Sequence, residues 1–169
     1  MLAETERLIL RSLGNSDYCS VRSLLEDDRV MRGFGALSET ECRRWLNRQL
    51  AMNSKDPALG MNALLLKESG EFIGISGIAS FDHSARAAEL GYALAPDFWH
   101  NGYASEALMF MIGYAFSAIG AAHAFAVIDI GNAASARTAE RCGMHRKSEV
   151  LRVFRGAEIP HHIYSVRRA

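Results

Sequence analysis

A strand that empties directly into a long helix constrains this chain more than any other feature. Ala88 to Leu94 is strand-like and Pro96 closes it. From Gly102 to Ile119 the residues Leu108, Ile112, Ala115, Phe116 and Ile119 fall on one helical stripe, with Gly120 as the stop. Ala124 to Ile130 follows, rich in strand formers. A strand, a helix and a second strand in that order predict a crossover in a mixed sheet.

Upstream, Arg7 to Leu13 alternates as a strand does, and Asn15, Ser16 and Asp17 offer an N-cap to a helix carrying Tyr18, Val21, Leu24 and Leu25. A second amphipathic helix is predicted from about Ser38 to Met52. Trp45, Leu46 and Leu50 form its apolar face, and Ser38 with Glu41 forms a capping box. Met61 to Lys67 and Phe72 to Phe81 read as strands joined by the turn Glu68-Ser69-Gly70-Glu71, and with Ala88 to Leu94 they predict an antiparallel meander. Downstream, a short helix from Ala133 to Cys142 stops at Gly143, and strands follow at Met144 to Phe154 and Ile159 to Val166. The predicted fold is one α/β (α+β) domain over residues 1–169, with a mixed, mostly antiparallel seven-stranded sheet and helices on both faces. A doubly wound nucleotide fold would begin its strand–helix alternation earlier.

Charge narrows the partners. Lys plus Arg and Asp plus Glu both number 19, which argues against nucleic acid as the main partner. Arg152, Arg155, Arg167 and Arg168 cluster near the C-terminus and read as a solvated strand face and tail. The three cysteines, Cys19, Cys42 and Cys142, are odd in number and far apart, which suits reduced thiols and a cytoplasmic location. The first residues do not resemble a signal peptide, and no apolar run nears the ~20 residues of a membrane span. No membrane partner is expected.

The strand–loop–helix stretch also carries chemistry. A helix N-terminus offers unpaired amides and partial positive charge to an anion, and Gly102 lets the backbone come close to one. Gly102 could equally serve only to make a tight turn. The residues Glu89, Gly91, Tyr92, Leu94, Pro96, Trp99, Gly102, Tyr103, Ala104, Glu106 and Ala107 resemble the acetyl-CoA signature of the GNAT superfamily of N-acetyltransferases. Thr5, Arg7, Leu8, Leu10 and Arg11 resemble that family's opening strand. Asn132-Ala133-Ala134-Ser135 with Arg137, Glu140, Gly143 and Met144 resembles its Asn-x-x-Ser helix, and Ile163 to Arg168 its last strand. The match points to the RimJ/RimL branch. It implies a V-shaped split between the strands Ala88 to Leu94 and Ala124 to Ile130, where the pantetheine arm inserts like an extra strand. On that resemblance the backbone of Leu90, Tyr92, Ala93 and Leu94 binds the arm and thioester. The amides of Trp99, His100, Asn101, Gly102, Tyr103 and Ala104 hold the diphosphate, Asn132 bonds the pantetheine amides, and the Ser135 hydroxyl lies near the sulfur. Two positions depart from the branch's pattern. His100 stands where Gly is usual, and Asn101 where Lys or Arg is usual. Somewhat weaker CoA binding is therefore expected.

For catalysis, Glu89 is the candidate base, acting through a water, with a cross-sheet charge pair as its alternative. Asp82 and His83 are weaker candidates and read better as turn caps. The family's acid tyrosine, seven residues after the motif asparagine, is here Ala139. Ser135 is the substitute the resemblance offers, or else a capping residue, and Asn132 could be simply the N-cap. Cys142 reads as a packed residue. His161 and His162 point to opposite faces of a strand and cannot readily share a metal, so no metal is expected. Met31, Phe34 and Trp45 could line an acceptor pocket, or pack in the core. The function implied is acetyl-CoA-dependent acetylation of a primary amine, on a protein N-terminus or a small molecule, by a monomer or homodimer. The alternative is a non-catalytic acyl-CoA-binding sensor or scaffold.

Overall fold

The structure, a computed structural model, describes residues 2–32, 35–56 and 58–168. In chain order its elements are β1 (Leu2–Glu4), β2 (Leu8–Ser12), α1 (Tyr18–Leu25), α2 (Glu39–Lys55), β3 (Gly60–Leu66), β4 (Phe72–Asp82), β5 (Ala87–Leu94), α3 (Tyr103–Ser117), β6 (His123–Asp129), α4 (Ala133–Arg141), β7 (His145–Phe154) and β8 (Ala157–Arg167). The strands form one sheet in the order β1-β2-β3-β4-β5-β6-β8-β7. Every pairing is antiparallel except β5 with β6. The meander and the crossover are both as predicted. The sheet has eight strands where seven were expected. The extra one is β1, too short to show alternation in the sequence; its partner β2 supplies the register, Leu2 opposite Arg11.

Each sheet face buries its own helices. On one, Leu8, Leu10, Leu64, Ile78, Leu90 and Leu94 pack under α3, which buries Ala107, Leu108, Met111, Ile112 and Ala115. On the other, Met61, Ala63 and Ile75 meet Val21, Leu24, Leu25, Cys42 and Leu46 from α1 and α2. Both layers follow from the period of their apolar residues, two in the strands and 3.6 in the helices. In the central strand β4, a Cβ at Gly77 would collide with the Gly60 carbonyl, so this position lets β3 and β4 close up.

The caps hold one surprise. Ser38 accepts from the Glu41 amide and Glu41 reaches back to the Ser38 amide, the predicted box. Asp17, expected among the cap residues of α1, makes no side-chain cap bond there. It accepts two bonds of 2.7 Å from Arg11 and one of 2.8 Å from the Gly14 amide. The Arg11 hydrogen bonds hold its carboxyl below the ordinary range against the opposing effect of burial. The carboxylate is thus shared between a charged partner on the adjacent strand and the amide that opens the 15–17 turn leading into α1. No helix among the described residues is long and apolar enough to cross a membrane.

Candidate active site

The parallel pair β5–β6 is joined at only three positions, Ala87 with His123, Ala88 with Ala124 and Glu89 with Phe125. Both strands continue, to Leu94 and Asp129, without pairing further. Leu90 to Leu94 therefore turn a backbone edge into a wedge-shaped gap, an unfilled strand position in the middle of a sheet. The gap opens onto a groove of about 490 Å3 lined by Tyr92, Ala93 and Leu94, by the loop from Phe98 to Ser105 apart from Asn101, and by Asn132 and Ser135 of the opposite wall. Such a volume lies in the range of small-molecule sites.

The loop between β5 and α3 is built to face an anion. Trp99 anchors it, its indole N–H donating to the Leu94 carbonyl at 2.8 Å. Gly102 is the N-cap of α3, with φ 81° and no side-chain cap, so the first amides of a 15-residue helix are left to a ligand. His100 has φ 64°. The non-glycine residue that departs from the family pattern thus keeps the left-handed backbone a glycine would adopt. Histidine tolerates this region better than most side chains, at a strain of roughly 1–2 kcal/mol.

A clamp holds this loop to the first strands. Glu106, in the first turn of α3, accepts from the Thr5 hydroxyl at 2.5 Å, the Arg7 amide at 2.8 Å and Arg7 Nε at 2.7 Å. Arg7 Nη1 reaches the Asn101 carbonyl at 2.9 Å, and its guanidinium lies 4.6 Å from the centre of the Tyr103 ring. Burial alone would raise the Glu106 carboxyl, but the bonds from Thr5 and Arg7 outweigh it and hold the group below its usual range. Thr5, Arg7 and Glu106 are motif residues whose shared task did not show in the sequence, because they are a hundred residues apart in the chain.

Among the described residues, four arginines gather around the groove. Arg29 and Arg32 from the segment after α1, and Arg137 and Arg141 one turn apart on α4, line the same groove. Arg29 is paired with Asp27 at 2.6 Å. Composition could not find this set, since nothing in a balanced charge count says where the charges gather. The four-residue spacing of Arg137 and Arg141 was the one available signal.

On the other sheet face stands Glu89. Its Oε1 accepts from Arg152 of β7 at 2.9 Å and its Oε2 from the Ser80 hydroxyl at 3.2 Å. The charge pair named as an alternative for Glu89 is thus present, and it ties β5 to β7. Arg155, in the β7–β8 turn, donates to Glu41 at 2.7 Å and to the Ala36 carbonyl at 2.9 Å. Arg155 and the Ser38 hydroxyl hold the Glu41 carboxyl down at about 2. Two members of the expected solvated basic cluster therefore tie the β7–β8 hairpin to the rest of the domain. A third, Arg168, donates to the Phe116 carbonyl.

Asn132 caps α4, its Oδ1 accepting from the Ser135 amide at 3.1 Å. Ala139, the position of the family's acid tyrosine, is completely buried. Asp82 caps a turn, accepting from the Ser84 and Ala85 amides, and His83 meets the Phe81 ring edge-on. Cys142 packs between α3 and α4 with its thiol near the Ser105 carbonyl, and burial pushes that thiol up. His161 is wholly buried, whereas His162 pairs with Glu149 near Arg146. No cluster of metal-ligating side chains occurs among the described residues. Met31 and Trp45 pack, partly buried, against the α1–α2 core, and Phe34 lies outside the described residues.

A gap between two parallel strands, leading to an uncapped helix N-terminus in a cationic groove, suits a thin neutral arm that ends in phosphates. Known proteins agree. Residues 7–145 match the acetyltransferase (GNAT) domain family. The chain is 29% identical to the uncharacterized N-acetyltransferase YoaA of Bacillus subtilis, over 98% of this chain and 96% of that one. It is 34% identical to the uncharacterized protein YkkB of the same organism, over 83% of each. Its fold superimposes with a TM-score of 0.83 on RimL, the ribosomal L7/L12 alpha-N-protein acetyltransferase, in complex with coenzyme A. There the identity is 15% and the match covers 99% of this chain and 98% of that one. This chain belongs to the GNAT family and is an acetyltransferase, a class of enzyme that uses acetyl-CoA.

Proposed function

We propose that this enzyme moves the acetyl group of acetyl-CoA onto a primary amine by direct attack on the thioester. The observation that carries the reading is the unpaired edge of β5 from Leu90 to Leu94, continuous with the Gly102 helix start and the arginine-lined groove. In this reading the arm pairs with that edge. The amides from Trp99 to Ala104 take the diphosphate, and Arg32, Arg137 and Arg141 supply the charge that Asn101 lacks. The Asn132 amide nitrogen serves the pantetheine.

The amine approaches from the Glu89 side of the sheet. Glu89 receives its proton through a water as the C–N bond forms, and an ammonium competes with Arg152 for the same carboxylate. When the C–S bond breaks, the sulfur leaves with the electron pair, and the Ser135 hydroxyl donates a hydrogen bond to it. An α-amine has a pKa near 8 and a lysine near 10.4, so a base matters more for the second. The RimL likeness favours a protein α-amine as the acceptor and a place in the RimJ/RimL-like branch, working in the cytoplasm.

Two measurements test this. Acetyl-CoA should raise the melting temperature, and free thiol should appear when an amine panel, including N-terminal peptides and small amines, is added. A melting temperature and calorimetric heat unmoved by saturating acetyl-CoA would sink the reading. Binding without thiol release from any amine would leave a CoA-binding module in its place.

A further inference from the structure

Tyr92 sits on β5 opposite Ser76, with its ring packed on the core that α3 and α4 cover. Its hydroxyl oxygen is fully buried and has no hydrogen-bond partner among the described residues. The Ser135 and Thr138 hydroxyls of α4 stand beside it. Thr138 has its proton committed, donating to the Ala134 carbonyl at 3.0 Å. Ser135 uses its backbone N–H for the Asn132 cap, and the residue lines the groove. Ser135, Thr138 and Ala139 lie three and four residues apart, on one face of α4. Ala139 keeps that face small, and Tyr92 reaches toward it from the opposite wall of the gap.

A buried hydroxyl without a partner destabilises a fold, so its retention calls for an explanation. We infer that Tyr92 is the positioning residue for Ser135: with CoA in the groove and the Ser135 hydroxyl turned to its sulfur, the Tyr92 Oη–H donates to Ser135 Oγ and strengthens that bond. The inference rests on the acetyl-transfer reading above. No proton changes oxygen in this relay. The sulfur leaves carrying the C–S electron pair, stabilised by the Ser135 O–H, and takes its proton from solvent after release. Burial, opposed by the neighbouring Ser135 and Thr138 hydroxyls, pushes the Tyr92 phenol up from its ordinary value. The phenol therefore stays protonated at working pH, as a donor must. Chained hydrogen bonds polarise one another, so the effect reaches a sulfur that Tyr92 does not touch. The chain thus supplies a tyrosine hydroxyl from β5 where the family pattern has one from α4.

The test needs no acceptor. CoA bound to the protein is titrated by the ultraviolet absorbance of its thiolate. Ser135→Ala should raise the thiol pKa by roughly one to two units, the scale of a hydrogen bond to a charged group. Tyr92→Phe should raise it by a smaller step in the same direction, with CoA affinity unchanged and the melting temperature equal or higher. The double variant should match Ser135→Ala alone, because a relay has no effect once its outlet is gone. A Tyr92→Phe thiol that titrates as in the wild type overturns the inference. So does a double variant whose shifts add, or a Tyr92→Phe protein that loses CoA affinity. Wild-type protein that does not bind CoA would overturn the acetyl-transfer reading instead.

Discussion

The two sides of the β5–β6 gap are held by the same kind of bond, shielded to different degrees. On the donor side, the loop from Pro96 to Gly102 is fixed by backbone shape and by Glu106, a carboxylate only 15% exposed that gathers three donors from Thr5 and Arg7. On the proposed acceptor side, the β7–β8 hairpin is tied back by Arg152 to Glu89 and Arg155 to Glu41, carboxylates 22% and 28% exposed, and Glu41 also gathers donors from Ser38. Exposed pairs contribute ~0–1 kcal/mol each and a better shielded carboxylate more, which favours Glu106 over Glu89 and Glu41 by a modest margin.

The sharpest way to separate the sides is to break each and read both catalysis and CoA affinity. Glu89→Gln should lower turnover by roughly 10²–10⁴-fold while leaving CoA affinity intact. The deficit should be greatest at low pH and recover partly as the amine deprotonates. A turnover profile that overlays the wild type would hand the base role to solvent. Gly102→Val should do the reverse, weakening CoA by about 10- to 100-fold. A β-branched residue resists φ 81°, and its Cβ would come within 3.4 Å of Arg7 Nη2. Unchanged calorimetric affinity would place the diphosphate elsewhere.

Glu106→Gln should come next, at about 2 kcal/mol of stability, or a drop of roughly 4–8 °C in melting temperature for a domain of this size. Its carboxyl is held below the unfolded value. The contribution is therefore complete above the unfolded pKa of ~4.3 and lost as pH falls through the lower folded one. A wild-type acid unfolding curve no steeper than that of Glu106→Gln would remove the clamp. Arg155→Ala should move the melting temperature less than Glu106→Gln does, yet alter the KM for the acceptor. The Glu41 carboxyl, held at about 2 in the fold, should then titrate closer to 4.5 in the folded variant, readable by NMR. An acceptor KM equal to the wild type would show that the hairpin's position does not matter. His100→Gly should have the smallest effect. Relief of left-handed strain is offset by glycine's entropy, so CoA should bind equally or up to a few-fold tighter. Clearly weaker binding would mean that the imidazole itself holds the ligand.

The same contrast explains what the sequence could reveal. The strand, loop and helix around Gly102 were legible because periodicity and a stop at Pro96 fix them locally. So were the capping box at Ser38 and the opposite faces of His161 and His162. The split in the sheet was legible only through resemblance, since no local pattern says where two strands stop pairing. Tertiary side-chain choices were not legible at all. Asp17 takes Arg11 as well as the Gly14 amide, Thr5 and Arg7 find Glu106 across the chain, and Arg29, Arg32, Arg137 and Arg141 meet only when distant elements fold together. The expectation of weaker CoA binding drew on two local departures. One keeps the left-handed backbone, and the other lies outside a groove that distant arginines line.

The outer margin of β7 raises a separate matter, that of solubility. As the last strand of the sheet it offers unpaired amides and carbonyls to any passing chain, and Leu151 and Val153 are 56% and 68% exposed along it. One half is guarded: the register slips between Arg146 and Ser148, and the slip at Lys147 interrupts a template that another strand could copy. The half from Val150 to Phe154 has no such bulge and relies on charge at Arg152 and Arg155. Both arginines are engaged by Glu89 and Glu41, so variants that release the hairpin from its anchors also free an apolar strand to recruit others of its kind. Loss of soluble protein, and not loss of fold, is the failure to watch for in that half of the molecule.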